Sequence, residues 1–80
     1  MKQIFHDLFC WSVFNERRQI DFNGHLWVRE EGNVLIDPVP MISSDLEQLN
    51  DFGGAKYIVI TNKDHERDTK AFRDRYRAEV

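Results

Sequence analysis

The chain has 80 residues, with 11 basic and 14 acidic side chains and a formal net charge of -3. This charge provides no general attraction for nucleic-acid phosphates or anionic lipid, so we expect neither nucleic-acid nor membrane partners. Eighty residues suffice for one small domain, and the single cysteine, Cys10, allows no internal disulfide. Because the N-terminus also lacks the apolar stretch of a signal peptide, we expect a cytoplasmic protein.

The first half of the chain has the pattern of three short strands. Leu8 to Phe14 and Asp21 to Arg29 are rich in aromatic and branched side chains, which favour strands. Gly24 interrupts the second of these strands, and we expect a bulge or bend there. The polar link before Val34–Ile36 contains Gly32, which suits a turn with positive φ. The second and third strands are therefore predicted to form an antiparallel hairpin.

A helix is predicted after the third strand. Ser44 is placed as its N-cap, and Glu47, three residues later, would complete a capping box. The helix would then run from about Asp45 to Phe52. It would end at Gly53-Gly54, which suits a left-handed C-terminal stop.

A further strand and a last helix enclose the most polar part of the chain. Tyr57 to Ile60 is a nearly continuous β-branched run, typical of a buried strand. A helix is predicted from about Glu66 to Arg77. The third strand, the first helix and this strand form a β-α-β unit, so the two strands should be parallel. Ligands collect beyond the carboxyl ends of such strands, where Asp37 and Thr61 to Asp68 lie.

The polar residues after this strand are the candidate site. Carboxylates and an imidazole at this spacing can bind a divalent metal or perform acid–base chemistry. The residues concerned are Asn62, Asp64, His65, Glu66 and Asp68. Alternatively, Thr61 or Asn62 caps the following helix, and the nearby acids complement its positive end. Asp37 likewise has two interpretations, a site residue at the shared rim or the start of a turn before Pro38.

The remaining reactive residues favour structural roles. His6 and His25 each lack a second histidine two or four positions away, so neither forms a compact metal pair. Cys10 lies between Phe9 and Trp11 and is expected to be buried. The basic residues of the last helix alternate with acids, which is typical of a solvated, salt-bridged face.

Three segments together resemble the opening of a metallo-β-lactamase-fold protein: Asn23–Val28, Gly32–Pro38 and Tyr57–Asn62. In that family, antiparallel strands lead to a strand that ends in Asp, and a crossover helix follows. A second strand then delivers a Thr-His-x-His-x-Asp-His motif. The resemblance implies an α/β fold, namely the N-terminal half of a metallo-β-lactamase-like αββα sandwich, with residues 1–80 as a single partial domain.

The motif itself differs in this chain. Aligning Thr61 with the threonine of the family puts Asn62 and Asp64 at the two closely spaced histidine positions. Glu66 then takes the aspartate position, and Arg67 takes that of the last histidine. The resulting pattern is Thr-Asn-x-Asp-His-x-Arg, which makes a normal dinuclear zinc centre a poor expectation.

A second alignment, on Asp64-His65, keeps the Asp-His pair of the family, and it too loses the His-x-His pair. By resemblance, Asp64, His65 and Glu66 are the ligand or acid–base candidates, and Asp37 would orient them. Asp68 follows directly after the motif. The resemblance implies zinc or another divalent metal only for a full-length protein.

The resemblance also implies a domain more than twice as long as this chain. We therefore expect a fragment or truncated chain of a hydrolase-like protein with an unassigned small-molecule substrate, inactive by itself. The exposed sheet face would be covered by the missing C-terminal half or by a second copy in a homo-oligomer. The alternative is a non-catalytic binding or self-associating module that keeps the fold without the metal site.

Overall fold

A computed structural model describes residues 1–61 and 66–80, without the side chains of residue 15 and residues 66–68. The described residues contain β1 (Lys2–Phe5), β2 (Leu8–Asn15), β3 (Ile20–Trp27), β4 (Val34–Ile36), α1 (Ser43–Asp51), β5 (Tyr57–Val59) and α2 (Glu66–Tyr76). The predicted mixed α/β class is confirmed, and the predicted elements end within one or two residues of their expected positions. Neither described helix has the length and apolar character needed to cross a membrane.

The strands form one sheet in chain order, with β1 at one edge and β5 at the other. Strands β1 to β4 pair antiparallel, and β4 pairs parallel with β5. The predicted hairpin and the parallel strands of the β-α-β unit are therefore confirmed. Strand β1 was not predicted, because a four-residue edge strand with a register shift between Gln3 and Phe5 has little pattern of its own.

Gly24 does not form the predicted bulge. It pairs regularly with Trp11 across β2 and β3, and the register is continuous on both sides. A Cβ atom at position 24 would lie 2.6 Å from Cζ2 of the Trp11 indole. The expectation of a bulge is therefore wrong, because this glycine makes room for a buried ring.

Helix α1 begins one residue before the predicted cap. Its N-cap is Ile42, whose backbone is extended and whose carbonyl accepts from the Asp45 N–H over 3.1 Å. Ser44 therefore lies inside the helix, and the predicted capping box with Glu47 is wrong.

The N-terminal ammonium group binds the first turn of α1 instead. Met1 N donates to Asp45 Oδ1 over 2.7 Å and to Gln48 Oε1 over 3.0 Å. Both hydrogen bonds are partly buried, and the Asp45 side chain is 16% exposed, which makes this a partly shielded ion pair. A contact between residues far apart in sequence thus anchors Asp45, whose carboxylate complements the positive end of the helix dipole.

The far end of α1 is tied to the loop between β3 and β4. Gly53 and Gly54 end the helix as predicted, with φ of 100° and 76°. The buried Asn33 side chain donates to Gly54 O over 2.9 Å and accepts from Arg29 N over 3.0 Å. Because Arg29 is held in this loop, β3 ends at Trp27, two residues earlier than predicted.

Both helices pack on one face of the sheet, the inner face. The Trp11 indole contacts the ring of Phe72 in α2, with centroids 6.3 Å apart, and its Nε1 donates to Val39 O over 3.0 Å. Leu49 of α1 is fully buried in the same cluster. The core comprises Phe9, Trp11, Leu26, Leu35, Val39, Leu49, Ala55, Ile58, Phe72 and Ala78.

The opposite face of the sheet, the outer face, carries two rows of side chains that cross all five strands. Side chains alternate between faces along a strand, so each row follows the pairing register. Val34 is 4% exposed yet lies outside the core cluster, which assigns it to this face. The rows are Phe5–Leu8–Trp27–Val34–Tyr57 and Lys2–Cys10–His25–Ile36–Val59. Cys10 is consequently half-buried rather than fully buried as expected.

Candidate functional site

The carboxyl ends of β4 and β5 meet at one edge of the fold, which we call the β4–β5 rim and define by Asp37 and Thr61. Asp37 follows β4 directly, and its backbone N–H donates to Val59 O over 2.9 Å. Thr61 lies two residues beyond the end of β5. The prediction that the two parallel strands bring their ends together is confirmed.

Two hydrogen bonds, which we call the clasp, join the Asp37 side chain to Thr61. The Thr61 backbone N–H donates to Asp37 Oδ1 over 2.6 Å, and the Thr61 hydroxyl donates to Asp37 Oδ2. Asp37 is 9% exposed, so these donors replace water around a nearly buried carboxylate. The clasp fixes the chain at the point from which residues 62–68 continue.

Asp37 adopts a left-handed backbone conformation, with φ of 47°. Most residues other than glycine avoid this region, although Asp tolerates it because its short polar side chain can form local hydrogen bonds. Pro38 follows, and a residue before proline ordinarily prefers an extended conformation. The residue that accepts both clasp hydrogen bonds thus has a left-handed conformation that its sequence context disfavours. Such conformations cluster at functional sites.

Several predicted site residues lie next to the clasp in sequence. Those outside the described residues are Asn62, Asp64 and His65. Those at the start of α2, for which only the backbone is described, are Glu66, Arg67 and Asp68. Of the predicted site residues, the structure thus places Asp37 beside the start of residues 62–68. The roles of the other predicted residues stay predictions.

Thr61 binds Asp37 with both its hydroxyl and its backbone N–H. Helix α2 is described from Glu66 onward, and residues 62–65 before it lie outside the described residues, so the interpretation of Thr61 or Asn62 as the helix cap stays a prediction. The sequence did contain a signal for this pairing, because Thr61 follows one predicted parallel strand and Asp37 follows its neighbour.

The described side chains do not form a metal site of their own. Within that part of the chain, no three His, Cys, Asp or Glu side chains lie close enough together to hold an ion. His25 lies on the outer face, away from Asp37 at the rim. Residues 62–66 contribute a single imidazole, so this donor set does not fit a centre built on paired histidines.

A cleft of about 450 Å³ lies at the opposite end of β4 and β5 from the rim. It is bordered by the β3–β4 loop and by the C-terminal ends of both helices. Its charged lining residues are Arg29, Glu30, Glu31, Lys56 and Arg77. Because helix C-termini carry partial negative charge, the cations are balanced within the fold, and the cleft does not favour an anionic ligand.

A comparison with protein families agrees with this arrangement. The sequence profile described as metallo-beta-lactamase superfamily matches residues 1–80. No curated protein sequence matches the chain. The elements found here, a strand ending in Asp37, a crossover helix, a parallel strand and a second helix, follow the order that the resemblance implies. The chain belongs to the metallo-β-lactamase superfamily.

Proposed function

We propose that the chain is the N-terminal part of a metallo-β-lactamase-fold, hydrolase-like protein with a degraded metal-binding motif, and that these 80 residues do not hydrolyse a substrate alone. The observation that carries this proposal is the clasp between Asp37 and Thr61. It supports a retained site position, because it holds the chain where residues 62–68 begin. The degraded motif is supported by Asn62 and Asp64, an amide and a carboxylate at the two histidine positions.

In this proposal Asp37 is a positioning residue. Both of its oxygens accept hydrogen bonds from Thr61, so the carboxylate holds the chain at the start of the segment. Asp64, His65 and Glu66 are the candidates for acid–base chemistry in the longer protein, because carboxylates and imidazole exchange protons near neutral pH. Since the donor set does not fit a paired-histidine zinc centre, we assign no step to a bound metal.

Metal content and hydrolysis of the purified chain test this proposal. The chain is prepared without chelator, and zinc, iron and manganese are measured by plasma mass spectrometry. Hydrolysis is assayed with an ester, a thioester and a phosphoester. We expect substoichiometric metal and no hydrolysis above the rate of His65→Ala. His6→Ala is the matched control, since it removes an exposed imidazole from the β1–β2 turn.

Two results would overturn the proposal. One equivalent of metal per chain, lost in His65→Ala and kept in His6→Ala, would contradict the degraded motif. Hydrolysis that shows the same dependence on His65 would contradict inactivity of the 80-residue chain.

A second candidate function is a non-catalytic binding or self-associating module. It is favoured by the outer face, where Trp27 and Val59 are 41% and 47% exposed. Exposed apolar side chains that cluster on one face commonly mark an interaction site in soluble proteins. Metal content and oligomeric state are separate measurements, so each candidate can fail without the other.

A further inference from the structure

Trp11 determines which residue can lie opposite it in the sheet. Its indole lies against Gly24, where a Cβ atom would come within 2.6 Å of Cζ2. Trp11 is 4% exposed and donates from Nε1 to Val39 O over 3.0 Å, so the ring is held in place. Position 24 therefore requires glycine, and the residue before it is Asn23. The packing of Trp11 thus creates an Asn-Gly pair in β3.

An Asn-Gly pair can lose ammonia without an enzyme. The backbone nitrogen of Gly24 attacks Cγ of the Asn23 amide and forms a C–N bond, and the side-chain nitrogen leaves as ammonia with the proton that Gly24 gives up. Because glycine has no side chain, its nitrogen is unhindered during this ring closure. Water then opens the succinimide at either carbonyl, which gives aspartate or isoaspartate. The net reaction consumes one water and releases one ammonia, and nothing is oxidised or reduced.

The folded strand opposes this reaction. Asn23 pairs with Ser12, and Gly24 pairs with Trp11, in a continuous antiparallel register. Ring closure requires the backbone between Asn23 and Gly24 to rotate out of the extended conformation, which cannot occur while both pairs are in place. The Asn23 side chain is exposed, so solvent is at hand. The rate is therefore set by how often this part of β3 opens.

This part of β3 can open without the rest of the sheet. The other described strands pair elsewhere, β4 with residues 25–27 of β3 and β1 with residues 8–10 of β2. Within the described part of the chain, residues 11–15 and 20–24 pair only with each other, and we call them the hairpin arm. Val13 and Phe22 pack against the core and hold the arm closed. Because a two-stranded hairpin is marginally stable, the arm should open at a lower free energy than the whole fold.

We propose that Asn23 is a site of spontaneous deamidation and that the hairpin arm controls its rate. The closed arm protects the amide, and each opening permits succinimide formation. Isoaspartate adds one carbon to the main chain between Asn23 and Gly24, so Gly24 can no longer lie opposite Trp11 in the original register. A modified arm therefore cannot close as before. This inference goes beyond the proposed function, because it does not depend on the residues of the degraded motif.

Peptide mass spectrometry measures the reaction during incubation in mildly alkaline buffer. Trypsin releases residues 19–29, which contain Asn23 as their one asparagine. We expect deamidation to be at least about tenfold slower in the native chain than in guanidinium, because only the open fraction reacts. Asn33 is the internal control, since it is buried and precedes valine, and it should stay unmodified in the native chain. Equal rates in the two states would overturn protection by the fold, and a native chain that never reacts would overturn the site.

Two truncations separate opening of the arm from opening of the whole fold. We expect Phe22→Ala to accelerate deamidation of the native chain about tenfold, because it loosens the arm. Leu46→Ala is the matched control, since Leu46 is also partly buried against the core but belongs to α1. Urea unfolding measures the global stability that each variant loses, and Val13→Ala is a milder truncation of the same arm. Equal acceleration by the arm and helix variants, or none by the arm variants, would refute control by the arm.

Asn23→Asp separates the added charge from the altered main chain. Ion-exchange chromatography isolates the deamidated chain, in which isoaspartate is the major product. The comparison uses Trp27→Phe chains, which leave Trp11 as the one indole. We expect the near-UV circular dichroism of Trp11 to be lost in the isoaspartate chain and kept in Asn23→Asp.

A native spectrum of the isoaspartate chain would contradict the proposed change of register. Equal loss of the Trp11 signal in Asn23→Asp would assign the effect to charge instead, and it would contradict the proposal too. These measurements involve neither metal nor hydrolysis, so failure here would leave the proposed function untouched.

Discussion

Thr61 binds Asp37 through two hydrogen bonds, and this pair connects the ends of two parallel strands. That the two residues lie close together could be predicted from the sequence, because parallel neighbours joined by one helix end at the same edge. The hydrogen bonds themselves could not, since Thr61 also has the character of a helix cap and Asp37 that of a turn residue. The bonds depend on which side chain each residue meets, and the local pattern does not contain that information.

We expect Thr61→Val to lower the free energy of unfolding by about 1–2 kcal/mol, because it removes the hydroxyl donor from a nearly buried carboxylate. Thr61→Ser keeps the hydroxyl and serves as the control. Urea unfolding followed by tryptophan fluorescence measures both variants. Equal unfolding midpoints for the valine and serine variants would show that the hydroxyl does not contribute.

At the scale of elements, the β4-α1-β5 unit was predictable because each part has a strong local signal. The start of α1 was not, because Ser44 and Glu47 have capping-box spacing while the contacts that stabilise the first turn come from Met1. Met1 and Asp45 are 44 positions apart, so no window around the helix contains the decisive partner. The edge strand β1 was equally hard to predict, because it is defined by its pairing with β2 and has little sequence pattern of its own.

Two substitutions in α1 distinguish the observed start from the predicted capping box. We expect Ser44→Ala to change the free energy of unfolding by less than about 0.5 kcal/mol, whereas loss of a true N-cap costs about 1 kcal/mol. Asp45→Asn should cost about 1 kcal/mol or more, because it weakens a partly buried charged hydrogen bond. Urea titration of both variants provides the comparison. The opposite ranking would restore Ser44 as the cap.

At the scale of the whole molecule, the fold has one covered and one uncovered sheet face. The alternation of apolar side chains in β2 and β3 indicates sheets with a buried side, and the family resemblance implies half of a sandwich. Which apolar residues remain exposed depends on where both helices pack, and that depends on contacts such as those of Trp11 with Phe72. The exposed row through Trp27 therefore emerges only from the assembled structure.

Self-association through the outer face, the second candidate function, would make thermal stability depend on concentration, because binding of a second copy stabilises the folded state by mass action. On this candidate, the unfolding midpoint of the unsubstituted chain rises by a few degrees between about 10 μM and about 1 mM. Val59→Lys should then unfold at a constant temperature. Ile42→Glu should behave like the unsubstituted chain, because Ile42 is 69% exposed but precedes α1, away from the sheet. Differential scanning fluorimetry compares the three, and identical concentration profiles for all of them would argue against self-association through this face.

The close approach of Gly24 to the Trp11 indole has a consequence for related sequences. Position 24 can accept a side chain only when the indole opposite it at position 11 becomes smaller, because a Cβ there would overlap Cζ2 of Trp11. Relatives that carry alanine or serine at position 24 should thus have lost the tryptophan at position 11. The two positions are expected to change together or not at all.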